Sequence, residues 1–245
     1  PLCVDIEKLK AADSLAQFFA CFIYMDDFQG EDRYTKGYEH ALGMLQKAKE
    51  FMDSHSGDMA LARNFAELYS TQKEGKISAF LTVEEGGILE NDMKRLEHLY
   101  KEGVRMLTLL WNYENCIGYP NSRDENIMKK GLKPFGVEVV QRMNELGMII
   151  DVSHMSYGGF WDVLWHSEKP VVASHSNARA LCDHPRNLSD EMIRALSEQG
   201  GVIGVNTYPY FLNSNGVASM ECIADHIEHI YQVGGGDVLA IGTDL

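Results

Sequence analysis

Two stretches decide the fold: Met148-Ile149-Ile150-Asp151-Val152-Ser153-His154 and Pro170-Val171-Val172-Ala173-Ser174-His175. Each is a short apolar run ending on a histidine, with a segment of helical period between them. Alternation along an extended chain puts Ile150, Val152 and His154 on one face, and likewise Val171, Ala173 and His175. Apolar runs separated by helix-period segments are the signature of β/α units repeated around a parallel sheet. The pattern continues outward through Leu15–Met25, Lys76–Val83 and Arg105–Trp111 on one side and Gly201–Asn206 and Asp237–Thr243 on the other. Seven strands are predicted.

Helix punctuation supports this segmentation. Asn91-Asp92 and Ser189-Asp190 sit where N-caps belong, and Gly103, Gly147 and Gly200 just precede strands. The stripes Met93, Leu96, Tyr100, Val104 and Ile223, Ile227, Ile230, Tyr231 have the spacing of helix faces packed on a sheet, and they are read as core. Residues 112–134, with two prolines and two glycines, read as one long loop after a strand, the kind of loop that usually serves function.

Seven βα units in series point to an α/β fold, the (β/α)8 TIM barrel with one strand unaccounted for. An open doubly wound sheet fits the pattern too. A barrel takes about 250 residues, yet these 245 yield seven strands and stop directly after the last. The expectation is a single barrel domain over 1–245, strands two to eight, with the first strand and the C-terminal helices outside the given ends.

Composition narrows the function. With 45% hydrophobic and 10% aromatic residues the chain can bury a full core. Lys and Arg number 22 against 36 Asp and Glu, a net charge of −14 that argues against a nucleic-acid or anionic-lipid partner and for a small substrate. No run of about 18 apolar residues exists, and Pro1-Leu2-Cys3-Val4-Asp5 lacks the features of a secretory signal. Five widely spaced cysteines without a Cys-x-x-Cys pair argue against a disulfide framework and for a reducing, cytoplasmic compartment. Cys21, in an apolar run, is read as core filling.

In a β/α barrel the reacting groups project from strand C-termini. Those positions hold Glu84-Glu85, Trp111-Asn112, His154, His175, Asn206 and Asp244. Two histidines and several carboxylates at strand ends are the ligand types of a borderline cation such as Zn²⁺. The histidines at 40, 98, 226 and 229 fall on helices and read as solvated. Arg186, in the loop Cys182-Asp183-His184-Pro185-Arg186-Asn187, either grips a substrate carboxylate bidentately or neutralises Asp183 or Asp190.

These residues make the chain similar to the membrane dipeptidase (renal dipeptidase) family of zinc dipeptidases among the amidohydrolase-like barrels, in a microbial form. The resemblance rests on Ile150–Ser156, on Val172–Ala178, on Cys182–Leu188, on Ala79–Gly87, on Gly131–Val140 and on Ala240–Asp244. It implies hydrolysis of a dipeptide at two zinc ions. Glu84, or alternatively Glu85, resembles the bridging carboxylate, and His154 and His175 resemble the imidazole ligands of the second zinc. Arg186 resembles the residue that holds the substrate's terminal carboxylate, and Asp244 the acid that contacts the water and the substrate amine. Trp111 stands where vertebrate members have a substrate-side histidine, so Trp111, Asn112 or a zinc ion is left as the donor to the oxyanion. The family's His-x-Asp pair of the first strand occurs nowhere in the sequence, so partial zinc occupancy is expected of this chain. The resemblance also implies a homodimer. The competing readings are another amidohydrolase-type hydrolase, or a non-catalytic paralogue if the His-x-Asp pair is absent upstream.

Overall fold

In the computed structural model, which describes residues 3–244, the apolar runs become parallel strands separated by helices. The reading that rests on Pro1 and Leu2 lies outside the described residues. Two compact units divide the chain, residues 3–107 and 108–244.

The first unit runs α1 (Ile6–Ala11), β1 (Ala16–Phe22), α2 (Arg33–Ser54), β2 (Met59–Leu61), α3 (Phe65–Lys73), β3 (Ile77–Glu84), α4 (Met93–Lys101) and most of β4 (Val104–Thr108). All eight residues of β3 are buried, as expected of a strand that has neighbours on both edges and is covered on both faces. β1 pairs with it in parallel from Ala16↔Ser78 to Phe22↔Glu84, and β2 pairs with its first residues, Met59↔Ile77. Three residues long, β2 is the one strand among the described residues that the sequence prediction lacks. On α2 the buried positions are Gly37, Ala41, Leu45 and Met52, a single stripe. In the first predicted stripe, Val104 is not helical: α4 ends at Lys101, and Val104 opens β4.

The second unit contains α5 (Glu125–Met128), α6 (Pro134–Leu146), β5 (Ile149–Asp151), α7 (Tyr157–His166), β6 (Val172–Ala173), α8 (Asp190–Glu198), β7 (Val202–Val205), α9 (Pro209–Leu212), α10 (Met220–Gly234) and β8 (Leu239–Ile241). Its strands pair in parallel in chain order, Asp151↔Val172, then Val172↔Val202, then Ile203↔Leu239. A helix lies between each pair. The predicted caps hold: Asp92 accepts from the Lys94 N–H, and Ser189 from that of Met192. Gly147 ends α6 with φ of 70°, a left-handed conformation that glycine takes without strain.

The predicted loop at 112–134 is organised from within. It includes the single turn of α5, and the Asn115 side chain bonds the Leu109 carbonyl and the Ile117 and Gly118 amides.

The inward edge of α10 differs from the predicted stripe. Ile230 is buried, but Ile227 and Tyr231 are 40% and 58% exposed, and His226, read as solvated, is 1% exposed. His226 Nδ1 accepts from the Ala178 N–H (3.1 Å), and its Nε2 donates to the Leu212 carbonyl (3.0 Å). These two bonds turn the His226–Ile230 edge of the helix inward and rotate Ile227 and Tyr231 toward solvent.

Candidate functional site

Asp151, the last residue of β5, organises the strand ends of the second unit. It is fully buried. Its Oδ1 accepts from the backbone N–H of Ser153 (3.0 Å) and of Ser174 (2.9 Å), and its Oδ2 from the hydroxyls of Thr108 (2.6 Å) and Ser174 (2.5 Å). Because the carboxylate takes the amides of residues 153 and 174, β5 and β6 stop before the histidines that the sequence placed on them. The chain turns at His154, whose φ of 69° lies in the left-handed region. A non-glycine residue holds that conformation only when its surroundings enforce it. Here Asn121 does so, donating its backbone N–H (2.7 Å) and its Nδ2 (2.8 Å) to the His154 carbonyl.

Hydrogen-bond partners fix the tautomer of both imidazoles. Ser174 gives its hydroxyl proton to Asp151, so its oxygen accepts from His175 Nδ1 at 2.7 Å. The amide oxygen of Asn112 accepts from His154 Nδ1 at 3.0 Å. Each ring therefore carries its proton on Nδ1 and presents Nε2 as an acceptor. The two Nε2 atoms lie 2.9 Å apart.

Two acceptor nitrogens at that distance repel unless positive charge lies between them. A proton is disfavoured there. Burial, then the Arg186 charge, then His175 itself push His154 well below the usual imidazole range. Burial and Arg186 lower His175 to about 4, against the opposing pull of Asp151 and Asp244. A metal cation fits better, since two imidazole nitrogens on a tetrahedral Zn²⁺ stand about 3.3 Å apart, from Zn–N bonds of about 2.0–2.1 Å.

Arg186 is buried. Its Nη2 donates to the His175 carbonyl (2.9 Å), its Nη1 to the Ser176 hydroxyl (3.4 Å), and the guanidinium lies 5.3 Å from the centre of the Phe211 ring. Asp190, one of the two acids set against Arg186 in the sequence, pairs instead with His229 at 2.8 Å.

Asp244 has a left-handed backbone (φ of 63°) and takes a 3.3 Å hydrogen bond from Asn206 Nδ2. Asn206, beyond the end of β7, is itself clamped by Asn177 through two bonds. The Trp111 ring centre stands 6.1 Å from that of His154. Asn112, expected to face substrate, has its oxygen on His154.

In the first unit Glu84 closes β3 and is 7% exposed. Glu85 follows with φ of 105°, and its carboxylate turns back to accept from the Gly87 N–H at 2.7 Å. Cys21 is buried, which pushes its thiol up to about 11 and leaves it inert.

Sequence reasoning missed Asp151 and Ser174 as site residues. The available signal was a serine directly before each strand-end histidine, with an acid three residues before the first.

The sequence profile of the family described as membrane dipeptidase, peptidase family M19, matches residues 1–245. The chain belongs to the membrane dipeptidase family. It is 30% identical over 249 residues to an uncharacterized dipeptidase of Schizosaccharomyces pombe, covering 98% of this chain and 60% of the relative. A Klebsiella pneumoniae protein from the pqqA 5′ region is 33% identical over 207 residues, which is 80% of this chain and 75% of that protein. The chain thus spans 60% to 75% of the length of these two relatives. Among solved structures, the dipeptidase AC, a metallopeptidase of family M19, superposes with a TM-score of 0.89 at 26% identity, covering 98% of this chain and 74% of that one. The fold class is accordingly the parallel α/β, TIM-barrel-like class of the M19 peptidases. Among the described residues no helix is long and apolar enough to cross a membrane.

Proposed function

We propose that the protein is a metallo-dipeptidase that hydrolyses the peptide bond of dipeptides at a zinc centre ligated by Glu84, His154 and His175, with two ions in a complete site. The observation that carries this reading is the pair of Nε2 acceptors 2.9 Å apart, both kept neutral by burial and the Arg186 charge. One carboxylate and two imidazoles form a donor set suited to Zn²⁺. Glu84 is favoured over Glu85 because the Glu85 carboxylate is committed to its own turn. Bound zinc would supply an activated water and polarise the scissile carbonyl.

The chain's own residues supply the remainder. Arg186 holds the substrate's C-terminal carboxylate, its guanidinium fixed by the His175 carbonyl, the Ser176 hydroxyl and Phe211. A clamp at a fixed distance from the scissile bond selects dipeptides, because a longer peptide has no carboxylate there. Asp244, oriented by Asn206, takes a proton from the attacking water and passes it to the leaving amine. Trp111 walls the substrate side of His154, and Asn112 holds the His154 ring.

The test is zinc titration of metal-free protein followed by assay on dipeptides and on the same dipeptides amidated at the C-terminus. The expected result is zinc-dependent cleavage of the free acids only. Binding and cleavage that survive both His154→Ala and His175→Ala would overturn the metal assignment.

A further inference from the structure

We infer that Asp151 is a positioning residue: acting through the Ser174 hydroxyl, its carboxylate locks His175 as the Nδ1–H tautomer and so makes Nε2 the atom offered to metal. The inference rests on the metal-centre reading above, and it concerns a residue outside the candidate ligand set.

The relay is set by the direction of one proton. A carboxylate only accepts, so the Ser174 O–H must point at Asp151 Oδ2. The Ser174 oxygen can then only accept from His175 Nδ1, at 2.7 Å. Ser153 completes the arrangement. Its oxygen accepts from the His175 backbone N–H (3.2 Å), and its hydroxyl lies 3.4 Å from the Ser174 oxygen. Asp151 is itself fixed, because Oδ1 is held by two backbone amides and Oδ2 by the Thr108 hydroxyl. Partners that orient a ligating imidazole through its second nitrogen typically change metal affinity 10–100-fold when removed.

Asp151→Asn makes a prediction opposite in sign to simple loss. The single amide oxygen must stay on the amides of Ser153 and Ser174, so Nδ2 faces the Ser174 hydroxyl as a donor. Ser174 then reverses and donates to His175 Nδ1, and the ring moves its proton to Nε2, where it blocks the ligand atom. Ser174→Ala cuts the relay and leaves the tautomer without control from Asp151.

The experiment records imidazole ¹⁵N spectra of the metal-free protein and its variants, then titrates each with zinc. In the parent, His175 is expected as Nδ1–H. In Asp151→Asn it is expected as Nε2–H, and in Ser174→Ala as a mixture. Zinc dissociation constants are expected to rise about 10–100-fold in both variants, and the His175 tautomer of the double variant is expected to match that of Ser174→Ala alone, because Asp151 reaches the His175 ring through the Ser174 hydroxyl. A folded Asp151→Asn protein that keeps Nδ1–H and parental zinc affinity overturns the proposal. Should Asp151→Asn fail to fold, a Ser174→Ala spectrum still showing only Nδ1–H overturns it equally. If the parent binds no zinc while the tautomer still switches, the relay stands and the metal reading falls.

Discussion

The Nε2 atoms of His154 and His175 face each other at 2.9 Å, each ring held by an oxygen on its opposite nitrogen: Asn112 for the first, Ser174 for the second. Zinc binding should therefore stabilise the folded protein measurably. At 100 times its dissociation constant a ligand adds about 2.7 kcal/mol, which for a chain of this size raises Tm by roughly 5–11 °C. Differential scanning calorimetry should show that rise in the parent and its loss in His154→Ala and in His175→Ala. A zinc-induced rise retained in both variants would place the metal elsewhere.

His226 gives the fold its own pH dependence, independent of metal. Its Nδ1 accepts from the Ala178 N–H, so the ring must be neutral to make that bond, and burial holds its pKa below the ordinary value. The unfolded chain takes up the proton near pH 6.5, while the folded chain resists it. This contribution is present in full above about pH 6.5 and is lost as pH falls through the lowered folded value. Urea unfolding at pH 7.5 and 5.5 should show lower stability at the acidic value. Substituting leucine at His226 should lower stability at pH 7.5 and flatten the slope. An unchanged slope would assign the acid sensitivity to other groups.

Much of this was legible in the sequence, and what was hidden was hidden for identifiable reasons. All seven predicted runs became strands, and the clearest of them is β3, buried along its whole length, because a strand covered on both faces is a nearly continuous apolar segment. Met59-Ala60-Leu61 was missed because three residues are too short to display any period. Two strands came out shorter than their apolar runs because Asp151 draws off the amides that would have extended them, an effect invisible without the partner strand. The histidine pair was readable from position alone. The relay behind it was not, since Asp151 and Ser174 sit inside apolar runs where a polar residue carries no periodic signal. Nor does sequence announce the left-handed backbone at His154 and Asp244, the conformation ordinarily reserved for glycine. On α10 the apolar stripe pointed to Ile227 and Tyr231, but two hydrogen bonds from His226 decided which edge turned inward.

Gly204 on β7 is a test of how tightly the strand ends are packed. A β-carbon there would lie 2.0 Å from the Ser174 carbonyl oxygen and 2.9 Å from the Gly242 Cα, both backbone atoms with little freedom to yield. Gly204→Ala should destabilise the protein by about 1–3 kcal/mol, the usual cost of overpacking. Because the strain falls on the residue that orients His175, zinc affinity should drop as well. Chemical denaturation and zinc titration check the two effects separately, and a variant with parental values for both would mean that the strands separate more easily than their contacts indicate.

At Arg186, substrate binding and support of the site can be separated. The guanidinium is buried and braces the His175 carbonyl, so Arg186→Ala can harm catalysis by either route. Loss of one partner from a buried charge pair costs about 2–5 kcal/mol, which translates into a fall in kcat/KM of roughly 30- to 5,000-fold on a dipeptide. The two routes diverge on amidated dipeptides, which lack the carboxylate. If Arg186 clamps that group, the parent should favour the free acid over the amide strongly, and Arg186→Ala should erase the preference while retaining zinc. Arg186→Lys should recover part of the preference, since an ammonium supplies the charge without the planar two-point geometry. An alanine variant that loses zinc, or that keeps the preference for the free acid, would make Arg186 a support of His175 and require another residue to read the carboxylate.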